Sequence, residues 1–179
     1  MLSVDGDADA AMEARIRTGW NKFRQLVPLL TNRDISMIRR GRLYSSCVRS
    51  SMLHRSETWP VRKENEVGLQ RAEMRMVRWM CNVKAKDRVP SKELRERLGT
   101  DDIIFTLQQN RLRWYGHVLR KEDIDWAKKC MEYEWRAPDQ EVDQKGRGER
   151  LHKKDCQACN LNREDAMDRS RWKKMTKTG

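Results

Sequence analysis

Apolar positions along this chain recur at helical spacing and form no convincing strand pattern. The clearest segment runs from about Val61 to Cys81, where Leu69, Ala72, Met76 and Met80 share one helical face. Beside that stripe, Arg71, Arg75 and Arg78 recur at i, i+4 and i+7 and make a basic row. An earlier helix is predicted from Ala8 to Val27, with Ala11, Ile16, Trp20, Phe23 and Val27 inward and Pro28 at its end. Less regular positions (Ile35, Ile38, Leu43, Val48) predict another from about Asn32 to Met52. Thr31 and Asp34 make a capping-box variant at its start, and Gly41 is expected to weaken or bend it.

Pro90-Ser91 opens a short helix that Gly99 closes. Thr100 is placed to cap the next one, with Asp101 and Asp102 in its first turn, where the helix dipole favours them. That helix runs to about Lys121, with Ile104, Leu107, Trp114 and Val118 inward and Arg111, Arg113 and Arg120 outside. A further short helix covers Asp125 to Glu134. Beyond Arg136 the pattern fails, and Pro138, Gly146, Gly148 and alternating charges read as a linker. Asn162 then caps a terminal helix to about Met175, with Ala166 and Trp172 as its apolar contacts. The expected fold is all-α: an elongated helical bundle over 1–135, a flexible linker over 136–161 and a basic C-terminal helix over 162–179.

Composition sharpens this picture. Hydrophobic and charged residues each make up 37% of the 179 residues, which allows a core but a thin one. Lys and Arg total 39 against 27 Asp and Glu, and the net charge of +12 favours a polyanionic partner such as nucleic acid. No apolar run approaches the roughly 20 residues of a membrane span, so no membrane partner is expected. The start, MLSVDGDADAAME, lacks the basic and apolar regions of a signal peptide. Five irregularly spaced cysteines predict no disulfide framework and a reducing, intracellular compartment.

Little of the sequence suggests catalysis. Asp101-Asp102 superficially resembles the aspartate pair of a polymerase, but two-metal chemistry needs carboxylates converging on both cations. Here the pair follows a helix-ending glycine, and helix capping is the expected role. His152, Cys156 and Cys159 form H-x3-C-x2-C, a candidate metal cluster that lacks a fourth nearby ligand. No metal or other cofactor is expected. Glu93 and Arg97 are spaced for an ordinary i, i+4 ion pair. Tryptophans interleave with the basic helices at Trp59, Trp79, Trp114 and Trp172. Most are expected to anchor the core rather than stack on bases.

Several segments together resemble a known family. They are the run Ala14-Arg-Ile-Arg-Thr-Gly-Trp-Asn-Lys-Phe-Arg24, then Gly41-Arg-Leu-Tyr-Ser-Ser-Cys-Val-Arg-Ser50 and Ser56-Glu-Thr-Trp59. Arg71-Ala-Glu-Met-Arg-Met-Val-Arg-Trp-Met-Cys81, Arg111-Leu-Arg-Trp-Tyr-Gly-His-Val-Leu-Arg120 and Arg163-Glu-Asp-Ala-Met-Asp-Arg-Ser-Arg-Trp172 follow in order. They resemble the region after the palm in reverse transcriptases of non-LTR (LINE-like) retrotransposons, and the resemblance extends from about Met1 to Met175.

The resemblance implies a thumb-like helical region over 1–135 that grips a template-primer RNA/DNA duplex and packs onto a palm domain absent from this chain. The metal-binding aspartates, and the Mg²⁺ of the parent enzyme, would belong to that palm. The chain by itself is then expected to be no enzyme. Arg71, Arg75, Arg78, Arg111, Arg113 and Arg120 are the candidate phosphate contacts. There are departures. The family usually has glycine where this chain has Arg55 and Asn82. Gly68 interrupts the clearest helix at a cost of about 1 kcal/mol. Near Gly146-Arg-Gly-Glu-Arg-Leu-His152 the family's Gly-Arg-Pro-Lys and its following tryptophan are missing. The alternatives are a helical protein-interaction module, docking through Leu69, Met76, Trp79 and Trp114, or a degraded copy of such an element.

Overall fold

A computed structural model describes residues 4–58, 63–132, 155–157, 159–162 and 164–176. The fold is all-α, with no strand among the described residues. The helices are α1 (Val4–Leu30), α2 (Met37–Leu43), α3 (Ser50–Met52), α4 (Lys63–Met80), α5 (Ser91–Leu98), α6 (Ile103–Leu119), α7 (Trp126–Glu132) and α8 (Arg169–Met175). A π-helical stretch, Tyr44–Arg49, joins α2 to α3. The chain divides into two compact units, one of Met1–Arg55 with Val61–Thr106 and one of Ser56–Pro60 with Leu107–Gly179.

In the first unit, α1 packs against α2, α3 and α4, while α5 packs against α2 and α4. The expected stripe of α4 is the buried one: Leu69, Ala72, Met76 and Met80 all face the interior. Phe23 and Leu30 of α1 join it, with Tyr44, Val48, Met52, Leu94 and Leu98. Burying each large side chain of this kind contributes roughly 1.5–3 kcal/mol. Pro28 lies inside α1 rather than ending it. Its missing N–H falls in the last turn, and Thr31 closes the helix by donating from its N–H and Oγ1 to the Val27 carbonyl at 3.0 and 2.8 Å.

The start of α2 also differs from expectation. Asn32 Oδ1 accepts the Asp34 N–H at 2.9 Å, an Asx turn that holds residues 32–36 out of the helix. Gly41 is a packing residue rather than a bend, because a Cβ there would collide with the Leu98 carbonyl at the end of α5. That end carries the predicted glycine. Gly99 sits at φ 60°, with its N–H bonded to Glu96 O at 3.1 Å and the Thr100 N–H to Arg95 O at 3.0 Å.

The cap of α6 is Asp102 and not Thr100: its Oδ1 accepts the Ile104 N–H at 2.8 Å. A second carboxylate serves the same helix end. Glu73, 1% exposed on α4, accepts the Ile103 N–H at 3.1 Å through Oε2. Its Oε1 accepts Arg49 Nε at 3.0 Å, Arg49 Nη2 at 2.7 Å and the Tyr44 hydroxyl at 3.3 Å. Arg49 Nη2 also donates to the Asp101 carbonyl at 2.6 Å. One buried ion pair thereby ties the π-helical stretch, α4 and the first turn of α6 together.

In the second unit, the inward face of α6 is Leu107, Leu112, Tyr115, Val118 and Leu119. Trp114 and Ile104 are only half-buried, so the buried stripe is rotated from the expected one. Leu112, Tyr115 and Leu119 pack with Cys156, Leu161, Ala166 and Trp172. Residues 155–157 are helical and Cys156 and Leu161 are buried, which corrects the linker assignment at its far end. The linker residues 136–154 lie outside the described residues, as do Trp59 and Lys177. The terminal helix is divided. A 3-10 turn, Glu164–Met167, precedes α8, and Asp168 Oδ1 caps α8 by accepting from Ser170 N at 2.9 Å and Arg171 N at 3.0 Å. Trp172 is 2% exposed, and its Nε1 donates to Leu112 O at 2.9 Å. Gly116 makes room for it, since a Cβ there would strike the indole ring.

Candidate nucleic-acid interface

The sequence nominates six arginines, and the structure divides them. On α4, Arg71 and Arg75 are exposed, and neither has an ion-pair partner among the described residues. Arg78 is half-buried, and its Nε lacks a hydrogen bond. These three share one helix of the first unit.

Arg111 is a correction. It is 1% exposed and pairs with Asp155 through Nη1 at 3.4 Å, so it is unavailable to a phosphate. The reason is helical phase. With Leu112 and Tyr115 inward, position 111 shares their side of α6, whereas 113 turns outward.

Arg113 and Arg120 line a groove of about 440 Å³ in the second unit. Across from them stand Arg169 and Lys173 of α8, with His117 beside Arg113 and Trp172 and Thr176 completing the wall. Arg113, His117 and Arg120 follow at i, i+4 and i+7, and Arg169 and Lys173 at i and i+4, so each helix offers one row of cations. Among the described residues no carboxylate lines the groove. Arg113, Arg169 and Lys173 are exposed, without an ion-pair partner among the described residues. Arg120 donates through Nη1 to the Ala166 carbonyl at 2.6 Å and has no ion-pair partner among the described residues. Sequence reasoning noted the basic character of α8 but nominated neither Arg169 nor Lys173. His117 is exposed on the same row of α6. The available signal was the i, i+4 spacing of Arg169 and Lys173 on α8.

The other candidates resolve into structural roles. Asp102 pairs with Arg95 at 2.8 Å, accepts from Gln70 and caps α6, and Asp101 is exposed beside it. Two carboxylates engaged in this way do not converge on a common point. Glu93 and Arg97 form the expected exposed pair at 2.6 Å. Cys156 is buried in the second core, which pushes its thiol up to about 11, with Asp155 and Cys159 adding to the effect. Cys159 is raised for the same leading reason. A zinc ligand needs the thiolate, which this setting disfavours. No group of three metal-binding side chains occurs among the described residues, and His152 lies outside them. No described helix is long and apolar enough to cross a membrane.

No protein-family model, curated protein or solved structure matches this chain.

Proposed function

We propose that the chain is a helical nucleic-acid-binding module, corresponding to the thumb-like and C-terminal region of a non-LTR retrotransposon reverse transcriptase. The observation that carries this reading is the groove lined by two rows of cations, with no carboxylate among its described lining residues. Basic side chains on a soluble helix usually meet carboxylates on neighbouring turns. A concave site without them repels cations and concentrates polyanions. Phosphate contacts of this kind give affinity without base specificity. Arg71 and Arg75 on α4 would add a second set of backbone contacts.

The backbone supplies separate support for the resemblance. Arg55 and Asn82, where the family usually has glycine, both adopt φ 54°, the left-handed region that glycine enters without strain. On this reading the metal and the polymerisation chemistry would belong to the family's palm domain. The chain alone is then a holder of template and primer, not an enzyme.

A second reading, a protein-docking module, draws on Trp79, which is 51% exposed and meets Phe23 edge-to-face at 5.6 Å. Leu69 and Met76 cannot serve it, because both are fully buried. The deciding experiment is equilibrium binding of the full chain to a primer–template duplex. Affinity that falls steeply between about 50 and 200 mM salt is expected, since bound cations release counterions. Absence of binding at the lowest salt would overturn the reading and leave the docking module.

A further inference from the structure

The cationic groove does not end at Arg120. The same side chain lines a second cavity of about 580 Å³, with Lys121, Glu122, Ile124, Asp125 and Trp126. Trp126 is 80% exposed, in contrast to the buried Trp172. Ile124, 72% exposed, lines the same cavity, so two large apolar side chains lie open beside the basic groove. The ring is presented from an ordered turn. Asp125 Oδ1 accepts the Ala127 N–H at 2.9 Å and its Oδ2 accepts Lys121 Nζ at 2.9 Å, so this carboxylate is already paired. Lys129 Nζ stands 5.8 Å from the Trp126 ring centroid, adding a cation beside the π-face.

We propose that the groove and this second cavity form one track for a single-stranded nucleic acid, with phosphates along Arg113, Arg120, Arg169 and Lys173 and a base stacked on Trp126. The inference rests on the nucleic-acid reading above and narrows its ligand at this site to an unpaired strand. In a duplex the base faces are covered by their neighbours and offer nothing to an indole. An unpaired strand presents both a charged backbone and open π-faces, and a basic groove with an exposed aromatic suits both. Stacking accepts any base, as the phosphate contacts do, so the track has little sequence preference.

The test compares three ligands on the full chain: a short oligothymidylate, an abasic strand of equal length and charge, and a blunt duplex. The oligothymidylate is expected to bind roughly five- to a hundredfold tighter than the abasic strand. In Trp126→Ala that preference disappears while the abasic strand binds as before, and the wild-type circular dichroism persists because the ring is exposed. In Arg113→Ala/Lys173→Ala both strands weaken alike, and the salt slope falls by about 1.4. Equal binding of the two strands by the wild type, or a preference that survives in Trp126→Ala, overturns the stacking track alone. Failure of both strands and the duplex to bind at low salt overturns the nucleic-acid reading with it.

Discussion

The first unit buries Arg49 against Glu73, and the second buries Arg111 against Asp155. The first pair is short, at 2.7 Å, and both partners are engaged elsewhere, with Tyr44, the Ile103 N–H and the Asp101 carbonyl completing the cluster. The second pair is long, at 3.4 Å, and two guanidinium nitrogens of Arg111, Nε and Nη2, are buried without a partner. A buried charge stabilises only when its hydrogen-bonding capacity is met. The first pair is thus a junction on which three segments depend, and the second is an under-satisfied contact inside a small core. The unit with the loosely built pair is also the one that carries the cationic groove.

Removing one partner of the satisfied junction should have the largest effect. Glu73→Ala strands Arg49 and uncaps Ile103, and should cost about 3–5 kcal/mol in a denaturant melt. A loss under about 1 kcal/mol would mean that the cluster is not the junction described. The same carboxyl gives a pH signature. Burial, opposed by Arg49, raises it from the ordinary 4.5. The folded chain therefore holds this proton more tightly than the unfolded chain does. Its contribution to stability is whole below pH 4.5 and is lost as pH rises through the raised native value. Glu73→Gln should remove that part of the pH dependence, read as the difference between the two stability profiles.

Replacing a whole pair should separate the units. Arg111→Met/Asp155→Leu should cost less stability than the same replacement in the first unit, because it removes the orphaned donors of Arg111 along with its charge. Arg49→Met/Glu73→Leu should destabilise, since Tyr44, Ile103 and Asp101 lose their partners. Equal costs would erase the contrast. The smallest effect belongs to backbone strain. Arg55→Gly should raise stability by about 1 kcal/mol by relieving the left-handed residue, measured as an upward shift of the melting midpoint.

The helices were readable because their signals are local. The α4 stripe and the Gly99 stop depend only on residues within a few turns. What escaped depends on distant partners. Glu73 reads as one more surface carboxylate on a basic helix, and only the fold brings Arg49 and the start of α6 to it. Gly41 reads as a helix weakener until the Leu98 carbonyl approaches it. The phase of α6 was misjudged because Ile104 and Trp114 look apolar enough to be buried. Arg111 falls in phase with Leu107 and Val118 and reads as outward only because of its charge, and the second wall of the groove lies far along the chain on α8.

The central claim is that unpaired cations of the second unit hold nucleic acid. It is tested most directly by the salt dependence of binding to a primer–template duplex with an unpaired template strand. Wild type is compared with Arg113→Ala/Arg169→Ala, whose side chains are exposed and carry no structural contact among the described residues. Weaker binding is predicted, with a slope of log affinity against log salt reduced by about 1.4–1.8. An unchanged affinity and slope would contradict the account.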